Sequence, residues 1–383
     1  MTERTTAATG GSATARPKRQ EQEEASDEIV EVAPSILRLQ LPIDFTGLGH
    51  VNTYALEDGD GFALVDPGLP GEKSWKVLQQ RLDAAGIPLA RVHTVFVTHS
   101  HPDHFGGAGL LAEESGARVV TSEFFRTFFD AADMDDTELD DAGAALADDA
   151  GDTDDDSDDP FVFRNAEGHR IQTPFGRPTP WGGVTEGPPP ERIAEMRANW
   201  EDTARWFRPP RPTHRLADAD HITLAGREWV ALYTPGHTDD HLCLFDPEAG
   251  VMLAGDHVLP TITPHISGLI EGDALALYVE SLDRIAALDG ITLVLPAHGH
   301  PFTDLAGRVD EVKKHHEERL EHLRGISEAE GWATVQALSH KLFAERSWGS
   351  MAESETYAHL EHLRVRGLAE RRRANGYLEF AAT

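Results

Sequence analysis

The chain has 383 residues, a length that suggests two or three domains of about 150 residues each. Its 34 Lys/Arg against 66 Asp/Glu leave a net charge of −32, a balance that disfavours binding to nucleic acid or to an anionic membrane. The single cysteine, Cys243, excludes an intrachain disulfide framework, and no apolar run reaches the ~18 residues of a membrane span.

Residues 1–28 lack periodicity and an apolar stretch, so a disordered tail without a signal peptide is expected, on a soluble, cytoplasmic protein. From Ile29 the texture changes. SILRLQLPI, VNTYALE and GFALVDPG read as strands, with a hairpin at DGDG. Glu72 to Ala85 carries Trp75, Leu78 and Leu82 at helical spacing. RVHTVFVT is a short β-branched run of the buried-strand type, followed by a short helix at Leu110–Ser115 and the strand ARVVTS.

Residues 122–213 interrupt this pattern and are read as an inserted, partly helical lid. Between Asp130 and Asp159 stand fifteen acidic and no basic residues, about half of the net charge, so a solvated run is expected there. A helix is predicted near Glu191–Phe207, and arginines with Trp181, Trp200 and Trp206 could grip a substrate or simply face water. Strands resume with HITLAG, EWVALYTPG, LCLFDPEAG, VMLAGD and ITLVLPAHG. A helix at Ala274–Leu288 precedes the last of these, and a charged helix at 308–325 follows. Residues 327–383 read as a separate small domain, helix, helix and a hairpin turned at Ala-Asn-Gly.

Four of these strands end in metal-ligand residue types. Thr98-His99-Ser100-His101-Pro102-Asp103-His104 follows RVHTVFVT, His237 follows EWVALYTPG, Asp256 closes VMLAGD, and His298 follows ITLVLP. Loop residues at strand ends converge on one rim of a layered α/β fold. Five His and two Asp there suit divalent transition ions, zinc first, with iron or manganese as alternatives. His99 and His101, two apart on an extended strand end, project the same way, while Asp103 and His104 turn toward a neighbouring position, so one cluster can feed two ions bridged by Asp256.

THSHPDH, PGH, GD and AHG, in this order, resemble the metallo-β-lactamase superfamily with a glyoxalase II-like dinuclear ligand set, over about residues 30–305. The resemblance implies an α+β fold, a four-layer αββα sandwich over 29–326. It implies His99, His101 and His237 on one metal, Asp103, His104 and His298 on the other, Asp256 bridging, and Asp66 of VDPG orienting ligands. It also implies hydrolysis, with Asp103 and Asp256 as catalytic groups. Flavo-diiron oxygen reductases resemble the pattern but carry Glu where this chain has His101, which favours hydrolysis over redox chemistry. His241, His257 and His265 are expected to make local or supporting contacts, Asn52 and Tyr54 to support the rim, and His315, His316 and His322 to face solvent.

The C-terminal module resembles the winged-helix appendage of metallo-β-lactamase relatives similar to a mitochondrial β-lactamase-like endoribonuclease, a likeness that PGHTDDH strengthens. Arg364, Arg366, Arg371, Arg372 and Arg373 give it a local basic patch. The expected activity is hydrolysis of an ester, thioester or lactone in a small acyl substrate. The rivals are a metal-dependent endoribonuclease or phosphodiesterase guided by the module, and a non-catalytic winged-helix regulator. Packing of the module on the core, or on a second subunit in a homodimer, is the expectation weighed against its nucleic-acid role.

Overall fold

The computed structural model describes residues 19–45, 47–59, 61–127, 162–164, 170–172, 175–187, 189–198, 206 and 208–383. The acidic run at 130–159 lies outside the described residues. The first strands are β1 (Val30–Ala33), β2 (Ile36–Phe45), β3 (Leu48–Glu57), β4 (Phe62–Val65), β5 (Val92–Phe96) and β6 (Arg118–Ser122). Within the insert lie a small hairpin, β7 (Val162–Arg164) and β8 (Arg170–Gln172), and β9 (His214–Leu216) returns to the sheet edge. The first sheet has the order β1-β2-β3-β4-β5-β6-β9, antiparallel up to β4 and parallel beyond it. The second comprises β10 (His221–Leu224), β11 (Arg227–Tyr233), β12 (Leu242–Asp246), β13 (Val251–Gly255) and β14 (Leu293–Pro296), with only β13 and β14 parallel.

The helices of the described residues are α1 (Glu72–Ala84), α2 (Pro102–Phe105), α3 (Ala108–Ser115), α4 (Pro190–Ala198), α5 (Ala274–Ala286), α6 (Leu305–Glu330), α7 (Val335–Leu342) and α8 (Ser350–Val365). Of these, α1 covers the outer face of the first sheet, and α5 and α6 that of the second. Three apolar clusters define the layers. Trp75, Leu78 and Leu82, the predicted stripe of α1, bury against Leu39, Leu64 and Val95 of the first sheet. Tyr54, Leu56 and Phe96 meet Trp229, Leu244 and Leu253 between the sheets. Cys243, Met252 and Val294 face Leu282 and Val309 on the far side of the second sheet. The result is a mixed α+β sandwich with helices outside two central sheets, because each sheet carries apolar residues on both faces.

The C-terminal stretch adds α7, α8 and a sheet of β15 (Ala333–Thr334), β17 (Tyr377–Ala382) and β16 (Ala369–Ala374). Asn375 and Gly376 turn the hairpin at φ 52° and 83°, the left-handed pair that the Asn-Gly signal predicts. Leu360, Leu363 and Phe380 share one apolar cluster with Tyr278 and Leu282 of α5, so this stretch packs on the second sheet's helical layer. From the insert, Trp181 donates its indole N–H to Glu353 of α8, and its carbonyl accepts from Leu378 N.

Three sequence expectations are corrected. Residues 19–28 do not all belong to a free tail. Gln20–Gln22 forms a short 3-10 turn whose Glu21 is fully buried, with its carboxylate accepting from the amides of Thr261 and Ile262. His316 does not face solvent. It stands in the stripe Val309, Val312, His316, Leu320, Leu323 of α6 and hydrogen-bonds His359 of α8 at 3.1 Å. His315 is half-buried, and only His322 is exposed as expected. The helix is also longer than its predicted 308–325 span.

Candidate metal centre

Five strand ends build the site. Asp66 follows β4, the segment from His99 to His104 follows β5 and enters α2, His237 follows β11, Asp256 follows β13 and His298 follows β14. Pro102 opens α2 at a first-turn position, where its missing N–H costs nothing, and so turns Asp103 and His104 inward. Gly236, just before His237, has φ 131°, and a Cβ there would stand 2.4 Å from Cβ of Tyr278. Only glycine lets this backbone run so close to α5.

The structure gathers all seven candidate ligands into two adjoining groups. His99, His101, His237 and Asp256 offer one donor atom each, all within 4.8 Å of one another, and Asp103, His104 and His298 do the same. In the first group, Nδ1 of His101 lies 3.0 Å from Nε2 of His99 and 3.1 Å from Nε2 of His237. His99 spends its Nδ1 proton on Oγ1 of Thr98, and His237 donates from Nδ1 to the carbonyl of His265 at 2.7 Å. Their Nε2 lone pairs are therefore both turned on Nδ1 of His101, which has at most one proton to offer the two of them, an arrangement that a cation relieves.

In the second group, Oδ2 of Asp103 lies 3.5 Å from both His104 Nε2 and His298 Nε2. Asp256 spans the two groups, with Oδ2 3.5 Å from His237 Nε2 and Oδ1 3.2 Å from His298 Nε2. His104 Nε2, His298 Nε2 and Asp256 Oδ1 are buried without a well-formed hydrogen bond. Such atoms are costly unless something charged or polar meets them. The donor set fits two divalent ions.

The electrostatics agree. Burial opposes charge on His104, but the carboxylates of Asp103, Asp256 and Asp66 outweigh it and hold the ring well above the usual imidazole range. Burial is likewise overcome at His298, chiefly by Asp256. Burial alone would raise Asp103, yet His104 and His298 pull it down to about 2. Asp256 is held low in the same way. The cluster's carboxylates thus favour positive charge in the place where the imidazole nitrogens converge.

A family model for the metallo-β-lactamase superfamily matches residues 46–298, the span that carries every one of these ligands. The chain belongs to the metallo-β-lactamase superfamily. It is 23% identical over 346 residues to the probable metallo-hydrolase YqjP of Bacillus subtilis, covering 86% of this chain and 92% of that protein. It is also 28% identical over 151 residues to the lactamase-like protein nscB of Trichophyton verrucosum, a match that spans 50% of the fungal protein. Among solved structures, a metallo-β-lactamase family protein from Thermus thermophilus superposes with a TM-score of 0.67 at 27% identity, covering 92% of this chain and all of that one. A β-lactamase domain protein from Burkholderia ambifaria superposes with a TM-score of 0.69, also at 27% identity, covering 94% of this chain and 96% of the other. This member of the superfamily is a metal-dependent hydrolase.

Around the metallo-β-lactamase centre, Asp66 accepts from Thr98 N at 2.9 Å, Thr98 Oγ1 at 2.8 Å and His104 Nδ1 at 2.9 Å. It thereby fixes the tautomer of His104 and, through Thr98, that of His99. Its φ of 52° is one that Asp tolerates better than most residues. Asn52 donates to the carbonyls of Pro296 and Gly299, and Tyr54 donates to Pro296, so both hold the loop of His298. His241 accepts from Asp256 N through Nε2 and so fixes the backbone of the carboxylate that spans the two groups. His257 lies beside Tyr278, whose hydroxyl donates to its carbonyl, and its ring stands 5.8 Å from that of His241. His265 contributes its carbonyl to His237.

Residue-type reasoning overlooked three contributors. His50 offers its carbonyl to His298 Nδ1 at 2.6 Å. Asp240 is buried beside Ser100, whose hydroxyl it accepts, and burial raises its carboxyl to about 7. Glu21 braces the loop after Asp256. Only Asp240, inside PGHTDDH, stood next to a motif; the other two are marked by nothing local.

Proposed function

We propose that the chain is a dinuclear metal-dependent hydrolase that opens an ester, thioester or lactone bond in a small acyl substrate. The observation that carries this reading is the pair of adjoining ligand groups with the Asp256 carboxylate spanning them. His99, His101 and His237 would hold one divalent ion, zinc foremost, and Asp103, His104 and His298 the other. Two such ions supply Lewis acidity to a carbonyl oxygen and acidify a water. The protein's own part is preorganisation. Asp66 keeps His104 and His99 in the tautomers that leave Nε2 free, and Asn52 with Tyr54 holds His298 in place.

The helix, helix and hairpin order supports reading residues 327–383 as a winged-helix-like module with a structural role. Its arginines are already engaged. Arg364 and Arg371 pair with Glu361, Arg366 with Glu317, and Arg372 with Glu379 while lying 4.4 Å over the ring of Trp332. Arg373 donates to the carbonyl of Gly376. Phosphates would have to compete with these acids, on a chain of net charge −32. This weighs against the endoribonuclease reading. The test is a turnover screen of the zinc-, iron- or manganese-loaded protein on thioesters, lactones and RNA. Acyl turnover without RNA cleavage is expected, and RNA cleavage alone would overturn the proposal.

A further inference from the structure

The two ions' pockets are braced from opposite ends of the chain. The histidine ligand farthest along the sequence in each pocket donates from Nδ1 to a backbone carbonyl, and in both cases that carbonyl belongs to another histidine. His298 donates to the carbonyl of His50 at 2.6 Å, and His237 to the carbonyl of His265 at 2.7 Å. What holds those two histidines differs. The ring of His50 donates from Nδ1 to the carbonyl of Glu23 at 2.8 Å and accepts from Gly299 N at 3.1 Å. Glu23 ends the short strap Gln20–Gln22, which is moored by buried Glu21 on Thr261 and Ile262 and by Gln20 Oε1 accepting from His300 N. The ring of His265 instead donates from Nε2 to the carbonyl of Met351 at 3.1 Å, in the first turn of α8. Ser354, one turn on, accepts from Gly268 N at 2.9 Å and fixes the same loop.

The geometry points to His50 and His265 as positioning residues that let the N-terminal strap and the C-terminal module each set the ligand of a different metal. The inference rests on the dinuclear reading above. A ligand's hydrogen-bond partner sets its ring orientation, and loss of such a partner weakens metal affinity by about 10–100-fold. Here the carbonyl partners stay in any side-chain variant, so what is removed is only the tether that aims them. The two tethers share no residue, so their effects separate by pocket.

The test is titration of the chelator-stripped full-length protein with Co2+, followed by absorption spectroscopy. His298→Ala and His237→Ala supply reference spectra in which one pocket is crippled. His50→Ala is expected to weaken the His298 pocket by up to about 10-fold, the low end of that range because the carbonyl itself stays, and to leave the His237 pocket at wild-type affinity. His265→Ala and Ser354→Ala should weaken the His237 pocket instead. His265→Gln, whose amide reaches the Nε2 position, and His50→Asn, whose amide reaches the Nδ1 position, should restore affinity. A folded set of variants that binds two ions as tightly as wild type, or loses both pockets together, overturns the inference while leaving the dinuclear reading intact. Wild-type protein that takes up no ion overturns that reading, and the inference with it.

Discussion

Asn52→Ala isolates the support of a single ligand loop. Asn52 is fully buried on β3 and lies between the sheet and the loop of His298. Its Nδ2 donates to Pro296 at 2.9 Å and to Gly299 at 2.8 Å, and its Oδ1 accepts from Gln40 Nε2 at 3.0 Å. Truncation does not orphan all three. The Pro296 carbonyl keeps the Tyr54 hydroxyl at 2.8 Å. That leaves the Gly299 carbonyl and the Gln40 amide, and a buried polar group without a partner costs about 1–3 kcal/mol. The expected destabilisation is therefore about 2–6 kcal/mol, a fall in melting temperature of about 3–7 °C for a chain of this length. The loop that loses its tie carries His298, so metal affinity should fall in the pocket of Asp103, His104 and His298 and not in the other. Thermal unfolding of the metal-free protein and a two-site metal titration read the two effects. A melting temperature within about 2 °C of wild type, with both affinities unchanged, would refute the reasoning.

Asp256→Asn should abolish turnover and reduce the bound ions toward one, because an amide cannot supply the negative charge that holds two cations together; activity assay and elemental analysis check this. The metal-free protein should lose stability as the pH falls below about 6.5. Burial depresses His101 and His257 to about 3 and His265 to about 4, so the unfolded chain takes up protons there that the folded chain refuses. His104 and His298 are raised and work the other way, stabilising at low pH and losing that contribution as the pH rises through their folded values, but the depressed histidines outnumber them. Melting temperatures across pH 4–8 in chelator measure the balance, and a rise toward acid would contradict it. Replacing Arg371, Arg372 and Arg373 together by Ala should leave turnover of a small ester or thioester nearly unchanged. The arginines touch Glu361, Glu379 and their own turn and make no contact with a candidate ligand.

The gathering of the seven candidate residues was legible in the sequence because each piece is local. A buried strand followed at once by His99, His101, Asp103 and His104 needs no long-range knowledge to look like a rim, whereas the αββα layering was implied by the family resemblance rather than by the strands themselves. What escaped the sequence depends on distant partners. Glu21 sits in a stretch with the composition of a tail, and only Thr261 and Ile262, some 240 positions on, make its burial worthwhile. His316 occupies a core position of its helical stripe, but a histidine there looks solvent-facing until His359, 43 residues away, satisfies it. Asn52 and Tyr54 were recognisable as rim support, whereas the backbone carbonyls of His50 and His265 leave no trace in residue type. The C-terminal arginines form a local basic patch in sequence, weighed there against packing on the core, and the acids that pair with them come largely from other elements.

The central claim, that the seven residues form one dinuclear centre, is tested most directly by the metal content of protein purified without chelator. The arrangement predicts close to two equivalents of zinc, iron or manganese per chain, falling in the His298→Ala and His237→Ala variants. Hydrolytically active protein that carries no metal would contradict it.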